Sequence, residues 1–219
     1  MFASTGVDHR GDAFFALSLG IGELAEVDFE LGNWVGVCRV CDGDDRHADS
    51  LILSTAQFKM GLAERQIAGW QPAFALGLRA PVGDRSVTIE GAEVEVEAAR
   101  LYVVLAKTVG PVVFHAGADA WDARDGDVLL RTRPIAARVR PFVGLEWVPG
   151  IYPRTTLLAD FGFAPVIEPA KVELRWLGGW GVRYQALSWG SIELAMRHRE
   201  GDSLGDSTVM VRLNAAVGY

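Results

Sequence analysis

Hydrophobic and polar residues alternate along most of this chain with a period of two, the spacing of side chains on the two faces of a β-strand. The clearest case lies in residues 171–185, where Val172, Leu174 and Trp176 share one face and Lys171 and Glu173 lie on the other. No helical period competes with the alternation, and no Pro-rich or Ser-rich linker divides the chain. The sequence therefore predicts a single all-β domain over residues 1–219.

The alternation predicts about eleven strands, the first beginning near residue 13 and the last near residue 208. Residues 1–11 are expected to form a loop and residues 164–170 a longer connection, and a change of phase at Ala98-Ala99 predicts a β-bulge. Bacterial single-chain barrels have an even number of strands. We therefore expect either that one strand precedes residue 1 or that the count is wrong by one. Twelve strands in the complete protein are favoured, and ten is the alternative.

Alternation alone does not say which face meets water, because a soluble barrel buries its apolar face and a membrane barrel exposes it. Many predicted strands run about ten residues or more, whereas ordinary strands average about five or six. The polar face mixes charges of both signs with glycine, alanine and serine, which suits a confined interior. Aromatic residues near predicted strand ends are typical of membrane interfaces; they are Trp70, Trp147, Tyr152, Trp189 and Tyr219. These features predict an antiparallel up-and-down transmembrane β-barrel.

Composition agrees with strands that cross a bilayer. The chain is 50% hydrophobic with a mean hydropathy of +0.17, yet it has no apolar run long enough for a membrane-spanning helix. The net charge of −7 argues against nucleic acid as a partner.

The last twelve residues carry an apolar face that continues to the terminal aromatic residue. Val209, Val211, Leu213 and Val217 share that face with Tyr219. This ending resembles the closing strand of bacterial outer-membrane β-barrels, which ends in Phe, Tyr or Trp after alternating hydrophobic residues. The resemblance implies location in the outer membrane, contact with lipid, and recognition of the last strand by the barrel-assembly machinery. Such a protein is exported, and residues 1–5 do not look like a signal peptide, so we expect that the signal is not part of this sequence.

The polar face supplies the candidate functional residues. Charges in a narrow lumen are costly unless they are paired, so these groups either brace the lumen or form a charged constriction that selects small solutes. The residues predicted to line the lumen are Glu26, Asp28, Glu30, Arg79, His115, Asp119, Arg138, Arg140, Glu146, Asp160, Glu173, Arg175, Arg183, Glu193, Arg197 and Arg212.

Other chemistry has weaker support in the sequence. No motif predicts a cofactor or a metal site, and Cys38 and Cys41 are interpreted as a possible local disulfide. His115 and Asp119 share a face, but no serine is placed to complete a hydrolase site of the outer-membrane phospholipase kind. Asp44, Asp45 and His47 loosely resemble the rim of omptin proteases. We therefore predict no enzyme, with an outer-membrane hydrolase as the less favoured alternative.

Four stretches resemble strands of YjbH-like barrels associated with exopolysaccharide export: 101–107, 115–117, 141–147 and 181–184. The resemblance implies a cell-envelope role linked to polysaccharide and contact with other envelope proteins. The leading hypothesis is thus a narrow outer-membrane channel or a barrel component of an export assembly. One alternative is a closed structural or adhesion barrel, and another is a soluble β-barrel that binds an apolar ligand.

Overall fold

The computed structural model describes residues 1–8, 13–21, 24–38, 49–82, 86–89, 92–125, 135–168 and 171–216. For several strand extensions, including residues 32–38, 92–98, 121–125, 135–138 and 164–168, the backbone alone is described. Among the residues described, no helix is long and apolar enough to cross a membrane.

Strands account for most of the described chain. They are β1 Phe2–Asp8, β2 Ala13–Ile21, β3 Ala25–Cys38, β4 Asp49–Leu62, β5 Ala73–Pro81, β6 Ser86–Ile89, β7 Ala92–Val109, β8 Val112–Asp125, β9 Ile135–Trp147, β10 Thr155–Glu168, β11 Lys171–Leu187, β12 Gly190–Arg199 and β13 Thr208–Ala216. A short 3-10 helix, Leu204–Asp206, precedes the last strand.

Twelve of these strands form a closed antiparallel barrel in which each strand pairs with its neighbours along the chain. The short strand β6 pairs only with the beginning of β7, so β5 pairs directly with β7. The first and last strands pair over seven residues, from Phe2 opposite Ala216 to Asp8 opposite Met210, and this pairing closes the barrel. The predicted all-β, up-and-down barrel is confirmed.

The expectation that residues 1–11 form a loop is wrong for residues 2–8. These residues form β1, which pairs with both β2 and β13. The twelfth strand of the barrel therefore lies within this chain.

Two further expectations about strand ends are also wrong. Residues 164–168 continue β10, with Pro165 opposite Leu174 of β11, so only residues 169–170 connect the two strands. The pairing of β7 with β8 runs without interruption from Val96–Asp125 to Val109–Val112, so no bulge occurs at Ala98-Ala99 in that ladder. A strand needs about ten residues to cross a bilayer, and β7 has eighteen. The part of β7 that extends beyond the hydrocarbon layer does not need an apolar face. The alternation of hydrophobic and polar residues can therefore change at Ala98-Ala99 without a bulge.

The apolar face of the barrel points outward. Leu213, Phe161 and Val182 are 52%, 46% and 43% exposed. Met210 is the one buried hydrophobic side chain among those described, whereas Asp28, Asp119, Arg140 and Glu193 are all buried. This distribution is that of a membrane barrel. It contradicts the alternative of a soluble barrel with an apolar interior.

The two ends of the barrel differ. The turn end holds Phe2, Ala216 and the connections at 22–24, 63–72, 110–111, 148–154 and 188–189, and the loop end holds the remaining connections. Connection length does not follow the end strictly, because the connection 63–72 at the turn end has ten residues and the connection 169–170 at the loop end has two. At the loop end, Val37 and Cys38 of β3 pair in parallel with Val166 and Ile167 of β10. These strands stand on opposite sides of the barrel, so their extensions meet across its mouth.

Candidate functional site: a charged lumen

The interior of the barrel is lined by charged side chains on alternate positions of the strands. Side chains at consecutive positions of a strand point to opposite faces. Residues that lie opposite each other on neighbouring strands point to the same face, so the register identifies the inward positions of every strand. Glu26, for example, lies opposite Lys59, and Asp119 lies opposite Arg140. Those predicted lumen residues whose side chains are described occupy these inward positions. Arg138 and Glu173 lie in strands, but their side chains are outside the described part of the structure.

Asp119 is the most deeply buried ion-pair centre of the described lumen. One carboxylate oxygen, Oδ1, lies 2.6 Å from Nε of Arg140, and the other, Oδ2, lies 2.5 Å from Nε of Arg100. Asp119 is 4% exposed and Arg140 is 6% exposed. Buried charges of this kind are tolerated only when they are paired, so Asp119 joins β7, β8 and β9 on their inner side.

A second network extends across strands β3, β4 and β5. Nζ of Lys59 lies 2.7 Å from Oε2 of Glu26. Gln57 donates through Nε2 to Oδ2 of Asp28 at 2.5 Å and accepts through Oε1 from Nε of Arg79 at 2.9 Å. Arg79 also lies 3.0 Å from Glu30 through Nη2. Each of the three acidic side chains of β3 thus contacts a basic or amide side chain of β4 or β5.

A third network joins side chains of β8, β9, β11, β12 and β13 around the opposite wall. Glu193 is buried and accepts from Nε of Arg183 at 3.0 Å, and its other oxygen lies 3.5 Å from Nη1 of Arg212. Glu146 lies 3.1 Å from Nε2 of His115 and 3.7 Å from Nη1 of Arg183. His115, Glu146, Arg183, Glu193 and Arg212 therefore form one continuous chain of charged and polar groups.

Aromatic side chains that point inward lie flat against glycines of the neighbouring strand. Tyr102 covers Gly77, and Phe142 covers Gly117, in each case where a Cβ atom on the glycine would overlap the ring. Phe14 covers Gly6 in the same way, with the Arg212 guanidinium 5.2 Å from its ring centre. A ring that lies on the wall takes up little of the lumen.

Described residues line two cavities inside the barrel. The larger, of about 470 Å³, is lined by β1–β5 on one side and β11–β13 on the other, and includes Asp28, Arg79, Arg197 and Arg212. The smaller, of about 360 Å³, lies toward the turn end and is lined mainly by glycine and alanine. Both include Glu26 and Lys59 in their walls. This ion pair therefore stands where the two cavities adjoin.

Several inward residues were missed by the sequence analysis. Lys59, Arg100 and Tyr102 belong to the networks of the lumen, and Arg199 borders the larger cavity. The alternation of Gln57 and Lys59 with Phe58 and Met60 is a signal that would have found β4's contribution.

The predicted interfacial aromatic residues that are described all lie at the turn end. Trp70 is 80% exposed in the connection 63–72, Tyr152 lies in the connection 148–154, and Trp147 and Trp189 flank such turns. Tyr219 and Cys41 lie outside the described residues, as does the side chain of Cys38, so the membrane-interface role and the disulfide stay predictions.

A serine–histidine contact, which the sequence analysis did not find, occurs at the loop end. Nδ1 of His198 lies 3.0 Å from Oγ of Ser207. Ser207 is only 5% exposed, and no hydrogen bond to Nε2 of His198 is found among the described residues. A nucleophile must be reachable and its base must be oriented, so this contact serves to hold the connection 200–207 on β12. Asp44, Asp45 and His47 lie outside the described residues.

Comparison with solved structures places this architecture among porins. A KdgM porin in complex with disordered oligogalacturonate has a TM-score of 0.61 at 4% identity, with 99% of this chain and 98% of that chain covered. The NanC porin has a TM-score of 0.59 at 8% identity, with 100% and 99% covered. The translocator domain of the autotransporter NalP from Neisseria meningitidis has a TM-score of 0.51 at 11% identity, with 99% and 86% covered.

The chain has the fold of an outer-membrane porin. No protein-family model matches the sequence, and no curated protein matches it. The structural likeness supports the outer-membrane barrel expected from the closing strand, but it does not support the more specific resemblance to YjbH-like barrels.

Proposed function

We propose that this protein is a narrow, water-filled channel of the bacterial outer membrane that passes small polar solutes. The observation that carries the proposal is the distribution of side chains. Charged groups surround a cavity of about 470 Å³, while large hydrophobic side chains cover the outside of the barrel. A barrel of about eight strands fills its interior with side chains, and larger barrels leave room for a passage. Twelve strands and inward aromatic rings that lie on glycine favour such a passage.

The route of a solute is proposed to follow the two cavities from the loop end to the turn end. The Glu26–Lys59 ion pair borders both, so a solute that moves from one to the other passes this pair. Each partner is about one-third exposed, which makes the pair accessible to water and to solutes. We infer that it controls the narrow part of the route.

Single-channel conductance in planar bilayers tests this function. The intact chain is expected to give a steady ion current, and the double variant Glu26→Ala, Lys59→Ala is expected to give a larger one, because two long side chains are removed without a change of net charge. Arg65→Ala, on the exposed connection 63–72, is the control and should leave the current unchanged. The absence of any steady current from the intact protein would contradict the proposal.

A second candidate is a barrel that is closed at its loop end and does not conduct at rest. The parallel pairing of β3 with β10 across the mouth favours it. In this case the protein would act through its loops as a structural or adhesion barrel, or open only on a signal. A current that appears only after the β3–β4 extension is removed would distinguish this candidate from the open channel.

Location in the outer membrane and assembly through the last strand are part of the proposal. Cell fractionation of the full-length protein tests the first, and loss of membrane insertion on Tyr219→Ser tests the second. We do not propose oligogalacturonate, the ligand in the KdgM complex, as a solute of this chain, because most acidic and basic groups of its described lumen are already paired with one another. A role in polysaccharide export, alone or with other envelope proteins, stays a prediction from sequence resemblance.

A further inference from the structure

One part of the lumen wall carries two opposite charges that do not pair. Gly144 of β9, Asp160 of β10, Gly179 of β11 and Arg197 of β12 lie opposite one another in sequence around the barrel. All four positions face inward. Gly179 lies four residues from Arg183 on β11, and Arg197 lies four residues from Glu193 on β12, so each shares the face of those inward residues. The two glycines leave the wall bare on both sides of Asp160.

The Asp160 side chain leans over Gly179, the position that lies opposite Arg197 in the register. The carboxylate of Asp160 lies over Gly179, where a Cβ atom would overlap it. Asp160 is exposed to the lumen and Arg197 lines the larger cavity. Neither makes a hydrogen bond or an ion pair with the other or with any other described residue. Five other inward arginines pair with a carboxylate: Arg79, Arg100, Arg140, Arg183 and Arg212.

Asp160 and Arg197 attract each other without a direct contact. Asp160 and Glu193 are the carboxylates whose charges act on Arg197, and Arg212 is the neighbouring base. Glu193 already pairs with Arg183 and Arg212. Asp160 and Arg197 therefore carry opposite charges that no ion pair among the described residues joins, about two strand spacings, roughly 10 Å, apart at the backbone.

We propose that Asp160 and Arg197 form a binding subsite for small zwitterionic solutes of the amino-acid type. The ammonium group of the solute binds the Asp160 carboxylate, and its carboxylate binds the Arg197 guanidinium. A simple anion is repelled by Asp160 and a simple cation by Arg197, so only a solute with both charges gains from the pair. The inference rests on the proposed function, since the solute reaches this site through the lumen.

The first measurement is block of the single-channel current by glutamine, compared with acetate, methylammonium and glycerol at equal ionic strength. Glutamine is expected to block at concentrations at which the other three do not. Asp160→Asn and Arg197→Gln should each raise the half-blocking concentration of glutamine by about tenfold or more, because a charge-assisted hydrogen bond is lost. The double variant should lose glutamine-specific block altogether, since neither charge of the solute then has a partner.

A matched pair of glycine variants separates geometry from charge. Gly179→Ala displaces the Asp160 carboxylate and should weaken glutamine block while every charge is kept. Gly144→Ala flanks Asp160 on the other side, where the nearest atom to a new methyl group is 3.5 Å away, and should leave glutamine block unchanged. Equal effects of these two variants would contradict the proposed geometry.

The second measurement, thermal unfolding of the purified barrel in detergent with and without glutamine, needs no conduction. Binding to the folded state raises the unfolding midpoint, and Arg197→Gln should abolish that rise. A rise without any channel current would leave the subsite standing and overturn the open channel. A current with no glutamine-specific block and no rise, or equal block by acetate, would overturn the subsite and leave the channel standing.

Discussion

At the scale of the single residue, Asp119 has the largest structural role in the lumen. Its carboxylate pairs with both Arg100 and Arg140 within the wall. Removing one partner of a buried ion pair typically costs about 3–5 kcal/mol, because the other charge is left without compensation. We expect Asp119→Asn to lower the free energy of unfolding by that amount in urea titrations of the barrel in detergent.

The Glu26–Lys59 pair supplies the matched comparison. Both side chains are about one-third exposed, and exposed pairs contribute about 0–1 kcal/mol. Glu26→Gln should therefore change the free energy of unfolding much less than Asp119→Asn. Equal losses in the two variants would show that burial does not decide the stability of ion pairs in this lumen.

Glycine at position 117 is required by the ring above it. A Cβ atom there would overlap the Phe142 ring and the carbonyl oxygen of Val103. Overpacking of this kind typically costs about 1–3 kcal/mol, so Gly117→Ala should destabilise the barrel by that amount in the same urea titration. Gly144→Ala, one strand away, would bring a Cβ atom no closer than 3.5 Å to its neighbours and should have no measurable effect on stability.

The residues of the lumen were predictable to the extent that they alternate with lipid-facing ones. Arg183 stands between Val182 and Tyr184, and its inward position follows from its neighbours. The partner of each group was not predictable, because pairing depends on the register between strands. Arg100 follows a stretch in which the pattern changes, and so it was missed.

At the scale of the element, the carboxylate of Glu64 ties the connection 63–72 to β7. Glu64 accepts a hydrogen bond from the amide of Thr108 at 3.1 Å and lies 2.9 Å from Nζ of Lys107. Hydrogen bonds from Thr108 and Lys107 lower the pKa of Glu64 from 4.5 to about 2. The lowered pKa means that this contribution to stability is complete above pH 4.5 and is lost as the pH falls through 2.

Glu64→Gln should accordingly loosen the connection at neutral pH and not at low pH. We expect the variant to unfold at a lower urea concentration than the wild type at pH 7, with the difference shrinking between pH 4.5 and pH 2. Thr108→Ser, which keeps the amide donor, is the control. A difference that persists unchanged at pH 2 would assign the effect to something other than the charge of Glu64.

Strand β1 shows why an element can escape sequence analysis. Its outward residues are Ala3, Thr5 and Val7, and its aromatic residue, Phe2, lines the inner cavity. The alternation of hydrophobic and polar residues is therefore weak in β1, and the strand is recognised only from its pairing with β2 and β13. Strand β10 is longer than predicted: the expected connection 164–170 contains Pro165, but a ladder of fourteen pairs with β11 continues through it.

At the scale of the whole molecule, the mouth at the loop end depends on contact between opposite walls. Cys38 of β3 lies in register with Ile167 of β10, and neighbouring positions on paired strands are close enough for a disulfide. With Cys41 changed to Ser, Ile167→Cys should form a bond with Cys38 under oxidising conditions. The bond would fix the two extensions across the mouth.

The conductance of this variant tests whether the β3–β10 contact at the loop end opens during conduction. If the β3–β10 contact opens and closes in the working channel, oxidation should reduce the current and a reducing agent should restore it, because the bond removes the open arrangement. The variant with Cys41→Ser alone, oxidised in the same way, controls for effects of the oxidant. A current that is unaffected by a bond shown to have formed would mean that solutes pass beside the contact, and the narrow part of the route would then be the Glu26–Lys59 pair alone.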